Sequence, residues 1–130
     1  MDDRRITDAE WPIMRHLWDH PSSSLGEILE GTSGERTWRR TTVQTLLKRL
    51  VDKGFVAVDS AASSFRYSAA MAEADCVRTE TRSFLQKVYD GSAGMLVAGF
   101  LKDNDLSEAE IAELRRILDG KRGDGRADHR

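Results

Sequence analysis

Five apolar residues, Val43, Leu46, Leu47, Leu50 and Val51, recur at the i, i+3, i+4, i+7, i+8 spacing of one helical face, and Gly54 follows as a C-terminal stop. No other stretch restricts the fold as tightly. The spacing predicts a helix over Thr41–Lys53. Directly beyond it, Phe55-Val56-Ala57-Val58 and Phe65-Arg66-Tyr67 are β-prone runs separated by the small polar stretch Asp59 to Ser64, which predicts a hairpin. Upstream, the Thr7-x-x-Glu10 capping box precedes Ile13, Met14, Leu17 and Trp18, so a first helix is expected over Asp8–Asp19, before Pro21. Ser24-x-x-Glu27 repeats the box and opens a two-turn helix bearing Leu25, Ile28 and Leu29. Two short helices, a longer third and a hairpin follow the order of a winged helix-turn-helix, whose third helix enters the DNA major groove.

Helical spacing returns beyond Met71 in Val77, Phe84, Leu85 and Val88, with Gly91 as a stop, and again in Met95, Leu96, Phe100 and Leu101. A third capping box, Ser107-x-x-Glu110, opens a helix with Ile111, Leu114, Ile117 and Leu118 on one side, expected to close at Gly120. The expected fold class is mainly α with a small β-hairpin. A winged-helix DNA-binding domain over 1–70 precedes a three-helix dimerisation part over 71–119 and a disordered tail over 120–130. Small halves have little core of their own, so Phe84, Leu85, Val88, Leu96, Phe100, Ile111, Leu114, Ile117 and Leu118 are expected to pair two chains into a homodimer.

Bulk charge conceals the key asymmetry. The 130 residues carry 20 Lys and Arg against 22 Asp and Glu, for a net charge of −2. Between Arg36 and Lys53, however, Arg36, Arg39, Arg40, Lys48, Arg49 and Lys53 face the single acid Asp52, a local +5 that leaves −7 for the remainder. With the leucine face turned inward, Thr41, Thr45, Lys48 and Asp52 point outward, flanked by Thr42 and Arg49, with Gln44 on the border. Gln suits adenine, Lys suits guanine and Thr suits either a hydrogen bond or a thymine methyl, so Thr41, Gln44, Thr45 and Lys48 are the expected base readers of double-stranded DNA. Arg36, Arg39, Arg40, Thr42, Arg49, Lys53 and, on the hairpin, Arg66 are expected at phosphates. The hairpin tip Ser60 to Ser64 has no cation, so its contact should be weak. Phe65 and Tyr67 pattern with Phe55 as an inward face, and Trp38 is expected to brace the turn before the third helix.

Catalysis has little to build on. His16 and His20 lie four apart but lack a third ligand and the Glu of a metalloprotease motif, and Cys76 is the single cysteine. Cys76 is expected as a small buried apolar side chain, and the glycines form no phosphate loop. Neither a metal nor a cofactor is expected, and the chain is not expected to be an enzyme. Met1-Asp2-Asp3-Arg4-Arg5 has no signal-like apolar stretch and no run nears the roughly 20 residues of a membrane span, so a cytoplasmic protein without membrane insertion is expected.

The segments ITDAEWPIMRHLW (Ile6 to Trp18), TVQTLLKRLVDKG (Thr42 to Gly54), RSFLQKVYDGS (Arg82 to Ser92) and LSEAEIAELRRIL (Leu106 to Leu118) together resemble the BlaI/MecI/CopY family of bacterial repressors, also called penicillinase repressors. The resemblance spans about Ile6 to Leu118. It implies a winged helix that binds a palindromic operator, a dimerising C-terminal part and repression of resistance or homeostasis genes. In the β-lactam branch it further implies a partner, a membrane sensor with a zinc protease domain, whose signal leads to cleavage in the dimerisation part. Carried onto this chain, the cut falls between Gly99 and Phe100. Relatives often have Asn where Gly99 stands. They commonly begin the recognition helix with Ser-Pro where this chain has Arg39-Arg40, leaving the free amides to Thr37 or water. No cysteine follows Leu118, which removes the copper branch's metal motif. Competing readings are a winged-helix protein-interaction module and a repressor gated by another signal, such as a small ligand or oxidation of Cys76.

Overall fold

A computed structural model describes residues 5–33, 37–61 and 64–123. Among them lie six helices and one two-stranded sheet: α1 (Trp11–Asp19), α2 (Leu25–Thr32), α3 (Arg40–Lys53), β1 (Val56–Asp59), β2 (Arg66–Ala69), α4 (Glu73–Tyr89), α5 (Ala93–Asp103) and α6 (Glu108–Gly123). The chain divides into two compact units, Met1–Ser83 and Phe84–Arg130, with the division inside α4. The described helices include none long and apolar enough to cross a membrane.

The first unit contains the three helices and hairpin of a winged helix and extends past residue 70, the expected end of that domain, to Ser83. Its core joins Ile13, Met14 and Leu17 of α1, Ile28 of α2, Val43, Leu46, Leu47 and Leu50 of α3, Phe55 and Val56 of the hairpin, Ile6 and Cys76. Each helix contributes the stripe that its spacing marks, and the face opposite the stripe stays in water. α1 starts three residues later than expected. The Thr7 carbonyl closes a turn by accepting the amides of Glu10 (2.9 Å) and Trp11 (3.1 Å), and the Glu10 carboxylate turns back to accept the Thr7 N–H at 2.8 Å. α2 carries the full capping box: Ser24 Oγ accepts the Glu27 N–H at 3.2 Å and Glu27 Oε1 accepts the Ser24 N–H at 2.9 Å. α3 ends on Gly54 at φ 90°, the left-handed conformation that glycine adopts without steric cost.

The hairpin is antiparallel with Val56↔Ala69, Ala57↔Ser68, Val58↔Tyr67 and Asp59↔Arg66 paired. Ser23, in the turn between α1 and α2, adds a bridge to Tyr67 through reciprocal bonds of 2.9 and 2.7 Å, which ties the wing to the helices. Tyr67 packs against the core as expected, but Phe65 does not, being 56% exposed. It precedes the last ladder pair, Asp59↔Arg66, so no strand partner turns it inward. Cys76 is buried, and burial, followed by the neighbouring Asp75 charge, pushes its thiol pKa up, as suits a packing residue.

In the second unit, Ser92 caps α5 by accepting the Met95 N–H at 3.1 Å, and Ser107 and Glu110 exchange capping bonds of 2.9 and 3.1 Å at α6. α6 does not stop at Gly120 but continues to Gly123. A helical glycine costs only about 1 kcal/mol relative to alanine, and Lys121 and Arg122 favour the negative C-terminal end of the helix. The rest of the expected tail, 124–130, lies outside the described residues. α5 and α6 contain no buried residue among those described, and Phe84, Val88, Met95, Phe100, Ile117 and Leu118 are exposed.

Candidate nucleic-acid interface

Burial of Val43, Leu46, Leu47 and Leu50 decides which side of α3 meets solvent, and it leaves Thr41, Gln44, Thr45 and Lys48 exposed as one outward row. Arg39, Arg40 and Arg49 are exposed beside the row and make no ion pair among the described residues, while Thr42 is half-buried. Lys48 pairs across one turn with Asp52, Nζ to Oδ2 at 3.2 Å, with side chains 77% and 62% exposed. Such a pair is weak and opens at little cost. Arg36 lies outside the described residues.

At the start of α3, Arg39 takes the N-cap position in an extended conformation with no side-chain cap, and no Thr37 bond replaces it among the described residues. The first amides of the helix therefore have no side-chain acceptor among the described residues, at its electropositive end and beside two guanidinium groups. Trp38 is half-buried against the core, in keeping with a bracing position.

Two expected phosphate ligands are differently engaged. Lys53 Nζ donates to the Arg5 carbonyl at 2.6 Å and to Glu10 Oε1 at 2.7 Å, and its side chain is only 17% exposed. Arg66 Nη2 donates to the Ser22 carbonyl and its Nε to Ser22 Oγ at 3.3 Å, with Glu27 Oε1 3.4 Å away. Lys53 is thus held within the fold, where a backbone carbonyl and a buried carboxylate converge on it, while Arg66 ties β2 to the turn before α2 and stays partly exposed. Sequence reasoning missed both partnerships. The signal for the first was present: Glu10 precedes Ile13, Met14 and Leu17 on the apolar stripe of α1, and Lys53 follows Leu50 by three on that of α3.

His16 and His20 stack, with ring centroids 4.6 Å apart and planes at 17°. Ser23 Oγ donates its only proton to the His20 carbonyl at 2.7 Å, so His16 Nε2, 3.1 Å from that oxygen, must be the donor. A Cβ on Gly31 would come within 2.3 Å of His16 Nδ1, so the ring occupies the space that a larger residue would need. Burial, then the adjacent His20, pulls the His16 pKa below its ordinary value. Among the described residues no three His, Cys, Asp or Glu side chains gather as a metal site.

The family model described as Penicillinase repressor matches residues 6–120. The chain belongs to the penicillinase repressor family. The methicillin resistance regulatory protein MecI of Mammaliicoccus sciuri is 36% identical over 116 residues, covering 89% of this chain and 94% of that protein. The penicillinase repressor of Bacillus licheniformis is 35% identical over 115 residues, covering 88% and 90%. Among solved structures, the DNA-binding domain of the repressor BlaI matches with a TM-score of 0.50 and 33% identity, over 55% of this chain and 88% of that domain. The winged-helix fold is therefore shared with the DNA-binding domain of a protein that is itself named as a repressor.

Proposed function

We propose that the chain is a homodimeric transcriptional repressor that binds a palindromic operator through α3 of each protomer. The observation that carries this is the outward row of α3, with Thr41, Gln44, Thr45 and Lys48 exposed between Arg39, Arg40 and Arg49, which make no ion pair among the described residues, on a winged-helix frame. Those four side chains read base edges, and the three arginines with Thr42 hold phosphates. Uncapped amides at the head of α3 add a seat for one phosphate oxygen. Lys53 is left out of the set because its cation is held within the fold, and Arg66 because its guanidinium is engaged by Ser22. No catalytic group takes part.

The exposed apolar side chains of α4, α5 and α6 supply the dimer contact, since a single helix-turn-helix makes too few base contacts to hold a site alone. Release follows from proteolysis between Gly99 and Phe100, after a membrane sensor protease registers a signal such as a β-lactam. Both residues lie inside α5, a helix with no buried side chain, and Phe100 is 55% exposed. Local opening of such a helix requires little free energy, and a protease needs an extended strand. Loss of the dimer makes the two half-site energies act separately, so affinity drops by orders of magnitude at cellular concentrations.

Selection of bound duplexes from a random-sequence pool by the purified full-length protein tests the proposal. A palindrome with two half-sites about one helical turn apart is expected. Recovery of unrelated sequences, or binding no tighter than to random DNA, refutes it.

A further inference from the structure

We infer that Glu10 and Lys53 form a positioning clasp that fixes the pitch of α3, so that Lys53 serves operator recognition without touching DNA. The inference rests on the proposed operator binding and adds a residue pair to it. Glu10 is wholly buried at the head of α1, and Lys53 is the last residue of α3. Their atoms meet at 2.7 Å, while Lys53 also reaches the Arg5 carbonyl at 2.6 Å and Glu10 Oε1 also accepts the Thr7 N–H at 2.8 Å. The second carboxylate oxygen, Oε2, has no hydrogen-bond partner among the described residues.

A buried ion pair with one oxygen left unpartnered is a poor stabiliser, because the loss of hydration rivals the attraction gained, and an apolar pair of similar volume serves stability as well. What charge and hydrogen bonds supply that apolar contact does not is direction. Burial of the leucine face of α3 is non-directional and tolerates rocking about the helix end. An ammonium held by two oxygens within hydrogen-bond distance does not. Leverage makes this matter: at about 1.5 Å rise per residue, Thr41 stands roughly 18 Å from Lys53 along the axis. A tilt of about 10° at the clasp would move Thr41 by roughly 3 Å, the whole length of a hydrogen bond. The base-reading row would lose its register, whereas long, flexible arginines would still reach phosphates.

The test uses the full-length protein carrying Glu10→Gln and Lys53→Met together, which removes both charges at similar volume, strands neither, and leaves the net charge unchanged. Affinity is measured for the palindrome selected by the wild type and for a random duplex, from about 50 to 200 mM salt. The temperature is one at which circular dichroism shows both proteins folded. The expected result is at least a tenfold loss on the palindrome, with random-duplex affinity and salt dependence unchanged, and with Lys53→Arg alone restoring binding to within about twofold of wild type. A shallower salt slope, by about 0.9 per half-site, would identify Lys53 as a phosphate ligand and overturn the clasp. An unchanged preference with a lowered melting temperature would reduce the pair to a fold contact and overturn it too. If the wild type itself shows no preference, operator binding fails and the clasp's role with it; if the wild type discriminates and the double variant discriminates equally, the clasp alone is refuted.

Discussion

Lys48→Ala separates base reading from general attraction to DNA. In the free protein Lys48 pairs with Asp52, and with no other acid among the described residues, across one helical turn, with both side chains more than half exposed. A pair of that kind contributes about 0.3 to 0.5 kcal/mol, so its loss lowers the melting temperature by only about 1 to 4 °C in a unit of this size. On DNA, a lysine hydrogen-bonded to guanine is worth about 1 to 3 kcal/mol of discrimination, or roughly 5- to 150-fold per half-site. Fluorescence anisotropy on the selected palindrome, repeated with each base pair changed in turn, reads both quantities. The wild type should discriminate at one position of each half-site where Lys48→Ala accepts any base pair, and the salt slope should hold. A uniform loss across all duplexes, with a slope smaller by about 0.9 per half-site, would make Lys48 a phosphate ligand and refute the assignment of the outward row of α3 to base reading.

Four further outcomes are expected. Gly54→Ala places a Cβ in open space but at φ 90°, so it should destabilise the first unit by about 1 to 2 kcal/mol, a drop visible in thermal melts; Gly120→Ala, inside α6 and also unobstructed, should raise stability instead. Because burial and His20 depress the His16 pKa below 6.5, its contribution to stability is present above that value and lost as pH falls through the folded pKa; melts between pH 7 and 5 should show the decline, and His16→Gln should flatten it. The Glu27 carboxyl is held below the ordinary carboxylate range first by the Ser24 amide, so its contribution persists through that window and disappears only at lower pH, as carboxyl titration by NMR can follow. Ile117→Asp with Leu118→Asp should convert the proposed dimer to monomer by sedimentation at micromolar concentration and lower operator affinity at least a hundredfold, while binding of a single half-site stays the same.

Most of the first unit was legible because its helices bury one stripe each, and the periodicity of Val43 to Leu50 or Ile13 to Leu17 is that stripe. The outward row of α3 followed by subtraction. Polar groups were less legible, since a wheel assigns a direction to a side chain but not a partner. Lys53 and Arg66 appeared as two cations near a basic helix, yet each is captured by a carbonyl and a carboxylate from distant segments, Arg5 with Glu10 and Ser22 with Glu27. Phe65 misled because alternation marks a face but not where the ladder ends. Gly120 misled because a glycine permits a helix to stop without compelling it to.

The bare start of α3 has a kinetic meaning for the free protein. Where Ser or Asp caps a helix, its first amides are satisfied in the absence of any ligand; with Arg39 in that place no side chain among the described residues caps them. The first turn of the recognition helix should therefore exchange its amide hydrogens faster than the leucine-anchored turns beyond Val43, and slow markedly when phosphate oxygens arrive. On the proposed reading, order at this end of α3 is completed by DNA, so part of the binding free energy goes into finishing the helix. A cap engineered at position 39 would stiffen the free protein and trade an arginine's attraction to DNA for a structure already prepared to receive it.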